Sequence, residues 1–102
     1  MSIPSGSQPA LEPATLVTGA SGGIGLAIAL RLAKQGGRVF AGVRSADAAR
    51  ALRDTYDAKL HPVILDVTDP TSCHAALVEI VDRLDGGHLT TLVNNAGIAV
   101  QG

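Results

Sequence analysis

The chain has 102 residues, of which 46% are hydrophobic and 17% charged, with a formal net charge of −1 at pH 7. That balance describes a globular chain, too weakly charged for nucleic acid or anionic lipid to attract it by bulk field, so neither is expected as a partner. The aromatic residues are Phe40 and Tyr56 alone, too few for the stacking platforms of single-stranded nucleic acid binders, and the core must be Ala, Val, Leu and Ile, which suits helices packed on a parallel sheet.

Residues Met1 to Pro13 carry Pro4, Pro9 and Pro13 among serines and glycines and read as a flexible leader. They lack the basic start and apolar centre of a secretory signal, and no later apolar run is long enough to span a bilayer, so a cytoplasmic location is expected. Ala14-Thr15-Leu16-Val17 suits a short buried strand, and Thr18 to Gly25 then reads Thr-Gly-Ala-Ser-Gly-Gly-Ile-Gly before a helix-forming run to Gln35. This turn is a candidate phosphate cradle, built from Gly19, Ser21, Gly22, Gly23, Ile24 and Gly25 with backbone N–H groups aimed from a helix N-terminus. Gly19 permits the tight turn, Gly23 lets the backbone approach a pyrophosphate, and Gly25 lets the helix close onto the sheet.

The first helix is predicted over about Ile24 to Gln35, exposing Arg31, Lys34 and Gln35 and ending in a left-handed cap at Gly36-Gly37. Arg38 to Val43 is a second strand. Ser45 can cap a second helix, Ala46 to Tyr56, with Asp47 complementing its dipole. Pro62 to Asp66 reads as a third strand. Asp69-Pro70 is an N-cap followed by proline at the first helical position, and it opens a helix with an apolar stripe of Cys73, Leu77, Ile80, Val81 and Leu84. Gly86-Gly87 ends that helix, and Leu89 to Asn94 is the fourth strand. Short loops and strict alternation imply right-handed crossovers and a parallel sheet in the order 3-2-1-4. Cys73 has no partner for an internal disulfide, favours a reducing compartment and reads as a small apolar helix residue. His61, His74 and His88 lack metal-ligand spacing, and no metal site is assigned.

A second motif stands near the far end, Leu92-Val93-Asn94-Asn95-Ala96-Gly97. With TGxxxGxG after the first strand, NNAG after the fourth and Asp66-Val67 after the third, the sequence resembles the short-chain dehydrogenase/reductase family over roughly Thr15 to Gly97. The resemblance implies an α/β fold with a Rossmann-type parallel sheet and a nicotinamide dinucleotide as cofactor. It also implies that Asp66 and Val67 meet the adenine and that Asn95, Ala96 and Gly97 lie on the nicotinamide-ribose side. The family's catalytic Ser and Tyr-x-x-x-Lys follow the fourth strand, and this sequence stops five residues beyond NNAG. Tyr56 is followed four residues on by Leu60, so Tyr56 and Lys59 read as surface or groove residues. The chain is therefore expected to be the cofactor-binding N-terminal part of the domain, without catalytic residues, and marginal as a fold on its own because its fourth strand is an open edge. The complete form is expected to transfer hydride between the cofactor and an alcohol or carbonyl carbon, as a homo-oligomer. A non-catalytic nucleotide-binding or sensing module and an inert truncation are the alternatives.

In an open parallel sheet the ligand sits beyond the carboxyl ends of the strands where the order reverses, and all these motifs fall there. Arg44 follows the second strand, whose end carries no carboxylate. A carboxylate there accepts from the 2′-OH of NAD, whereas a guanidinium pairs with the 2′-phosphate of NADP; the resemblance puts Val43 where NAD-preferring relatives hold their acid. NADP(H) is expected over NAD(H), with a solvated arginine beside a helix start as the alternative. Asp66 has two readings, an acceptor for the adenine amino group and part of a helix-start turn. The Asn95 amide can bridge neighbouring strand ends.

Overall fold

The computed structural model describes residues 14–56 and 60–95; the leader, Lys59, Ala96 and Gly97 lie outside them. Among the described residues seven elements follow in chain order: β1 Ala14–Val17, α1 Gly23–Lys34, β2 Arg38–Val43, α2 Ala46–Thr55, β3 Leu60–Ile64, α3 Pro70–Leu84 and β4 Thr91–Val93. The strands form one sheet in the order β3-β2-β1-β4 with every pair parallel, as the alternating pattern predicts.

Strand side chains alternate between two faces, and here both faces are covered, so near-continuous apolar runs replace the alternation of a one-sided sheet. Val17, Val39, Ala41, Val43 and Leu60 pack with Ala29 of α1 and with Ala49 and Leu52 of α2. Leu16 and Phe40, next to these in sequence, turn to the opposite face and pack with Val63, Leu65, and Ala76 and Ile80 of α3. Phe40 is fully buried and supplies the aromatic ring of that layer's core.

The caps form as local chemistry dictates. Ser45 Oγ accepts from Ala48 N–H at 3.0 Å, and Asp69 Oδ1 accepts from Thr71 N–H at 3.0 Å with Pro70 next in the chain. At the end of α1, Gly36 adopts φ +95°; its N–H donates to the Ala33 carbonyl and that of Gly37 to the Leu32 carbonyl. That double return satisfies two of the last helical carbonyls.

Some element details differ from the sequence reading. β3 runs two residues earlier, with Pro62 inside it. The position is tolerated because β3 is an edge strand and the Leu65 N–H donates inward to the Val43 carbonyl, which by alternation turns the Pro62 nitrogen to the open side. In α3 the buried line is Cys73, Ala76, Ile80 and Leu84, while Leu77 and Val81 are 51% and 66% exposed. The short Ala76 lets the helix face the sheet along that line, and the next residue on is rotated by about 100°. In α1, Gly25 and Ala29 make the buried line, so Ile24 at 73% exposure and Ala27 turn outward, beyond the three polar residues expected there. β4 is shorter than predicted, and its Leu92 is 58% exposed at the sheet's edge. Tyr56 closes α2 and packs, half-buried, against the α1/α2 core layer.

On the α3 side, His61 meets Phe40 edge-on with ring centroids 5.7 Å apart, and its Nε2 lies 3.3 Å from Glu79 Oε2. Burial holds the imidazole pKa below its ordinary value of 6.5; the hydrogen bond to Glu79 opposes this and the Arg83 charge adds to it. The unfolded chain therefore takes up the proton first as pH falls, so stability present above about pH 6.5 is lost as pH drops through the lowered native value. Unfolding midpoints of the wild type and His61→Gln at about pH 7.5 and pH 5 test this, with the wild type expected to lose more. Equal losses would contradict it.

Candidate functional site

The site is built from the loops that leave the carboxyl ends of the strands. After β1, Gly19 and Gly23 take left-handed backbone conformations, φ +64° and +58°. Between them Gly22 is the extended N-cap of α1 and makes no side-chain cap; no acid stands in the helix's first turn. The positive end of the helix dipole and its first N–H groups are thereby left for an external anion. The turn is tied to the sheet by Ala20 N–H, which donates to the Gly42 carbonyl at 2.9 Å.

Gly25 is the tightest point. A Cβ there would stand 2.2 Å from the Gly19 carbonyl oxygen and 2.7 Å from Asn95 Nδ2, so the helix meets its own entry turn and the loop after β4 at one residue. Asn95 fills the role its amide suggests: Nδ2 donates to the Gly19 carbonyl at 3.2 Å, and its backbone N–H donates to Thr18 Oγ1 at 2.8 Å. Thr18, buried at 4% exposure, also donates its N–H to the Val93 carbonyl at 3.0 Å. The β1 and β4 exits are therefore laced together where the strand order reverses.

The β2 and β3 exits make a second cluster. Arg44 Nη2 lies 3.8 Å from Asp66 Oδ2. Asp66 Oδ1 accepts from the Thr68 hydroxyl at 2.6 Å and from Thr68 N–H at 3.0 Å, and the Asp66 N–H donates to Ser72 Oγ at 2.9 Å. The Thr68 hydroxyl, then its N–H, hold the Asp66 carboxyl below its ordinary pKa; partial desolvation opposes them and the Arg44 charge assists. Asp66 is thus the head of a helix-start turn, and its other oxygen, Oδ2, lies toward Arg44. Cys73 sits half-buried beneath, its thiol 3.7 Å from the Asp66 carbonyl oxygen.

The residues named from sequence within the described range, Gly19, Ser21, Gly22, Gly23, Ile24, Gly25, Arg44, Asp66, Val67 and Asn95, all lie at this one end of the sheet. Sequence reasoning assigned no site role to Thr18, Gly42, Thr68 or Ser72. An Asp-x-Thr spacing at a helix start is a local signal that could have found Thr68. Gly42 had no local signal: its place is explained by its approach to the β1 exit, where a Cβ would meet the Val17 carbonyl oxygen at 3.3 Å and Thr18 Cα at 3.4 Å. Beside Thr18, Val67 and Asn94 a cleft of about 240 Å³ opens toward Leu77 and Leu92.

This geometry defines a dinucleotide-binding half-sheet, with glycine-rich turn, uncapped helix start and polar strand exits converging on the topological switch point. The "short chain dehydrogenase" family model matches residues 13–102, and the chain belongs to that family of oxidoreductases. It is 46% identical over 83 residues to the 3-oxoacyl-[acyl-carrier-protein] reductase FabG of Escherichia coli, covering 81% of this chain and 33% of that protein. It is 36% identical over 93 residues to retinol dehydrogenase 5 of Homo sapiens, covering 91% and 29% respectively. Among solved structures it is similar to an actinorhodin polyketide ketoreductase crystallised with NADPH, with TM-score 0.74 and 37% identity over 86% of this chain and 34% of that one. The chain spans about a third of the length of these relatives. It is a nucleotide-binding portion of this family. The described residues fit the phosphates of a nucleotide, since no atom lies within 4 Å of a Cβ position at Gly22 or Gly23 and the α1 start is left uncapped.

Proposed function

We propose that these residues hold the NADP(H) of a short-chain reductase whose complete form interconverts an alcohol and a carbonyl. When bound, the nicotinamide supplies or accepts the hydride. The Gly19–Gly25 turn receives the pyrophosphate on backbone N–H groups and the α1 dipole, Asp66 and Val67 border the adenine, and Asn95 with Ala96 and Gly97 borders the nicotinamide-side ribose. Proton transfer to the substrate oxygen belongs to residues outside this sequence, which contains no Tyr-x-x-x-Lys.

The observation that carries the cofactor preference is Arg44. It leaves the end of β2 with its side chain 75% exposed, and the neighbouring Gly42, Val43 and Ser45 supply no carboxylate for a ribose 2′-OH. The ketoreductase that the chain resembles was crystallised with NADPH, which supports the same choice. A charge-assisted bond to the 2′-phosphate contributes about 1.5 to 3 kcal/mol, or a tenfold to hundredfold preference. Fluorescence titration of NADPH and NADH against wild type and Arg44→Ala tests it. NADPH affinity is expected to fall by that factor while NADH affinity holds. Equal affinities untouched by the substitution would refute the preference, and no saturable response to either cofactor would leave the chain an inert truncation.

A further inference from the structure

We propose that Asp66 is a specificity-determining residue acting through Arg44, a built-in competitor for the guanidinium that a cofactor 2′-phosphate must take over. The proposal rests on the reading of Arg44 as the phosphate's partner. The two oxygens of the Asp66 carboxylate are unlike. Oδ1 accepts from both the hydroxyl and the N–H of Thr68, at 2.6 and 3.0 Å, and the residue's own N–H is held by Ser72 Oγ. Pinned in this way, the carboxylate presents Oδ2 to Arg44 Nη2 across 3.8 Å.

That separation is too long for a hydrogen bond, and the side chains are 75% and 34% exposed, so the pair is a weak, screened charge interaction. A phosphate offers the guanidinium short bidentate bonds and displaces the carboxylate. It must then share the end of the sheet with an acid that Thr68 does not let swing away. A cofactor with a 2′-OH brings no charge to that place and meets no such opposition. Asp66 therefore holds the preference for the phosphorylated cofactor below what Arg44 alone would give.

The test is the ratio of NADPH to NADH affinity in wild type, Asp66→Asn, Arg44→Ala and the double variant, in the full-length polypeptide. Asparagine keeps the acceptor for Thr68, and Asp66→Ser serves as a second variant. Where the carboxylate also meets the adenine, its removal weakens both cofactors alike and cancels in the ratio. Asp66→Asn is expected to raise the ratio about two- to fivefold at low ionic strength and less in salt. It is expected to leave the ratio unchanged once Arg44 is alanine, because the phosphate is no longer drawn to that side. An unchanged ratio in Asp66→Asn, with Arg44→Ala still collapsing the preference, overturns this proposal alone. A ratio indifferent to Arg44→Ala overturns the reading beneath it.

Discussion

Gly25→Ala is expected to abolish measurable dinucleotide binding and to destabilise the fold by about 1 to 3 kcal/mol or more. Alanine is the better helix former by about 1 kcal/mol, so propensity alone predicts a gain. The clash outweighs it because the atoms in the way, the Gly19 carbonyl oxygen at 2.2 Å and Asn95 Nδ2 at 2.7 Å, belong to backbone and to an amide already bonded to that carbonyl. Neither can rotate aside as the tip of a flexible side chain would. Relief requires α1 to move off the sheet or the cradle to open, and either displaces the N–H groups proposed to meet the pyrophosphate. Gly22→Ala is the control for stability alone, because it lies in the cradle itself: no atom of the protein lies within 4 Å of its Cβ position, and its extended backbone suits any residue. Denaturant unfolding of both variants and NADPH titration of Gly25→Ala decide the matter. A Gly25→Ala protein that binds and unfolds like wild type would show that the turn yields freely.

Phe40→Ala is expected to cost about 3 to 5 kcal/mol, a large share of the stability of any domain of this size. The ring is fully buried and faces Leu16, Val63, Leu65, Ala76 and Ile80, so its removal hollows the whole α3-side layer. The substitution also takes away the edge-on partner of His61 and the ring beneath the Arg38 guanidinium, 5.7 Å from its centroid. Phe40→Leu, which keeps most of the volume, is expected to cost less than half as much. The measurement is the shift in urea midpoint at constant slope. A drop below about 1 kcal/mol for the alanine variant would mean that α3 is not held through this ring.

The cradle, the caps and the order of elements were legible in the chain because each is a local matter. Positive-φ glycines at 19, 23 and 36, a serine or aspartate before a helix, and Pro70 in first helical position act within a few residues of themselves. The parallel order followed too, since short loops between alternating helices and strands leave few topologies open. Asp69 was legible as a cap on the same grounds, whereas Asp66 kept two readings in sequence, and only the folded chain shows it as a carboxylate divided between Thr68 and Arg44.

What remained hidden depends on residues far apart in the chain. The buried line of α3 could not be chosen between Leu77 and Ala76 by hydrophobicity, because the helix turns Ala76 to the sheet beside Ile80, and Leu77 and Val81 go outward. Pro62 opened the third strand in the sequence reading, and only the edge position of β3 explains how the strand extends two residues before it. Gly25 could be named from its motif, yet the reason it must be glycine includes an asparagine from the far side of the sheet's switch point, in the loop after β4. Periodicity, capping and turn chemistry are written into neighbouring residues. Close approach, charge pairing across strands and the choice of buried face arise when the sheet brings its strand exits together.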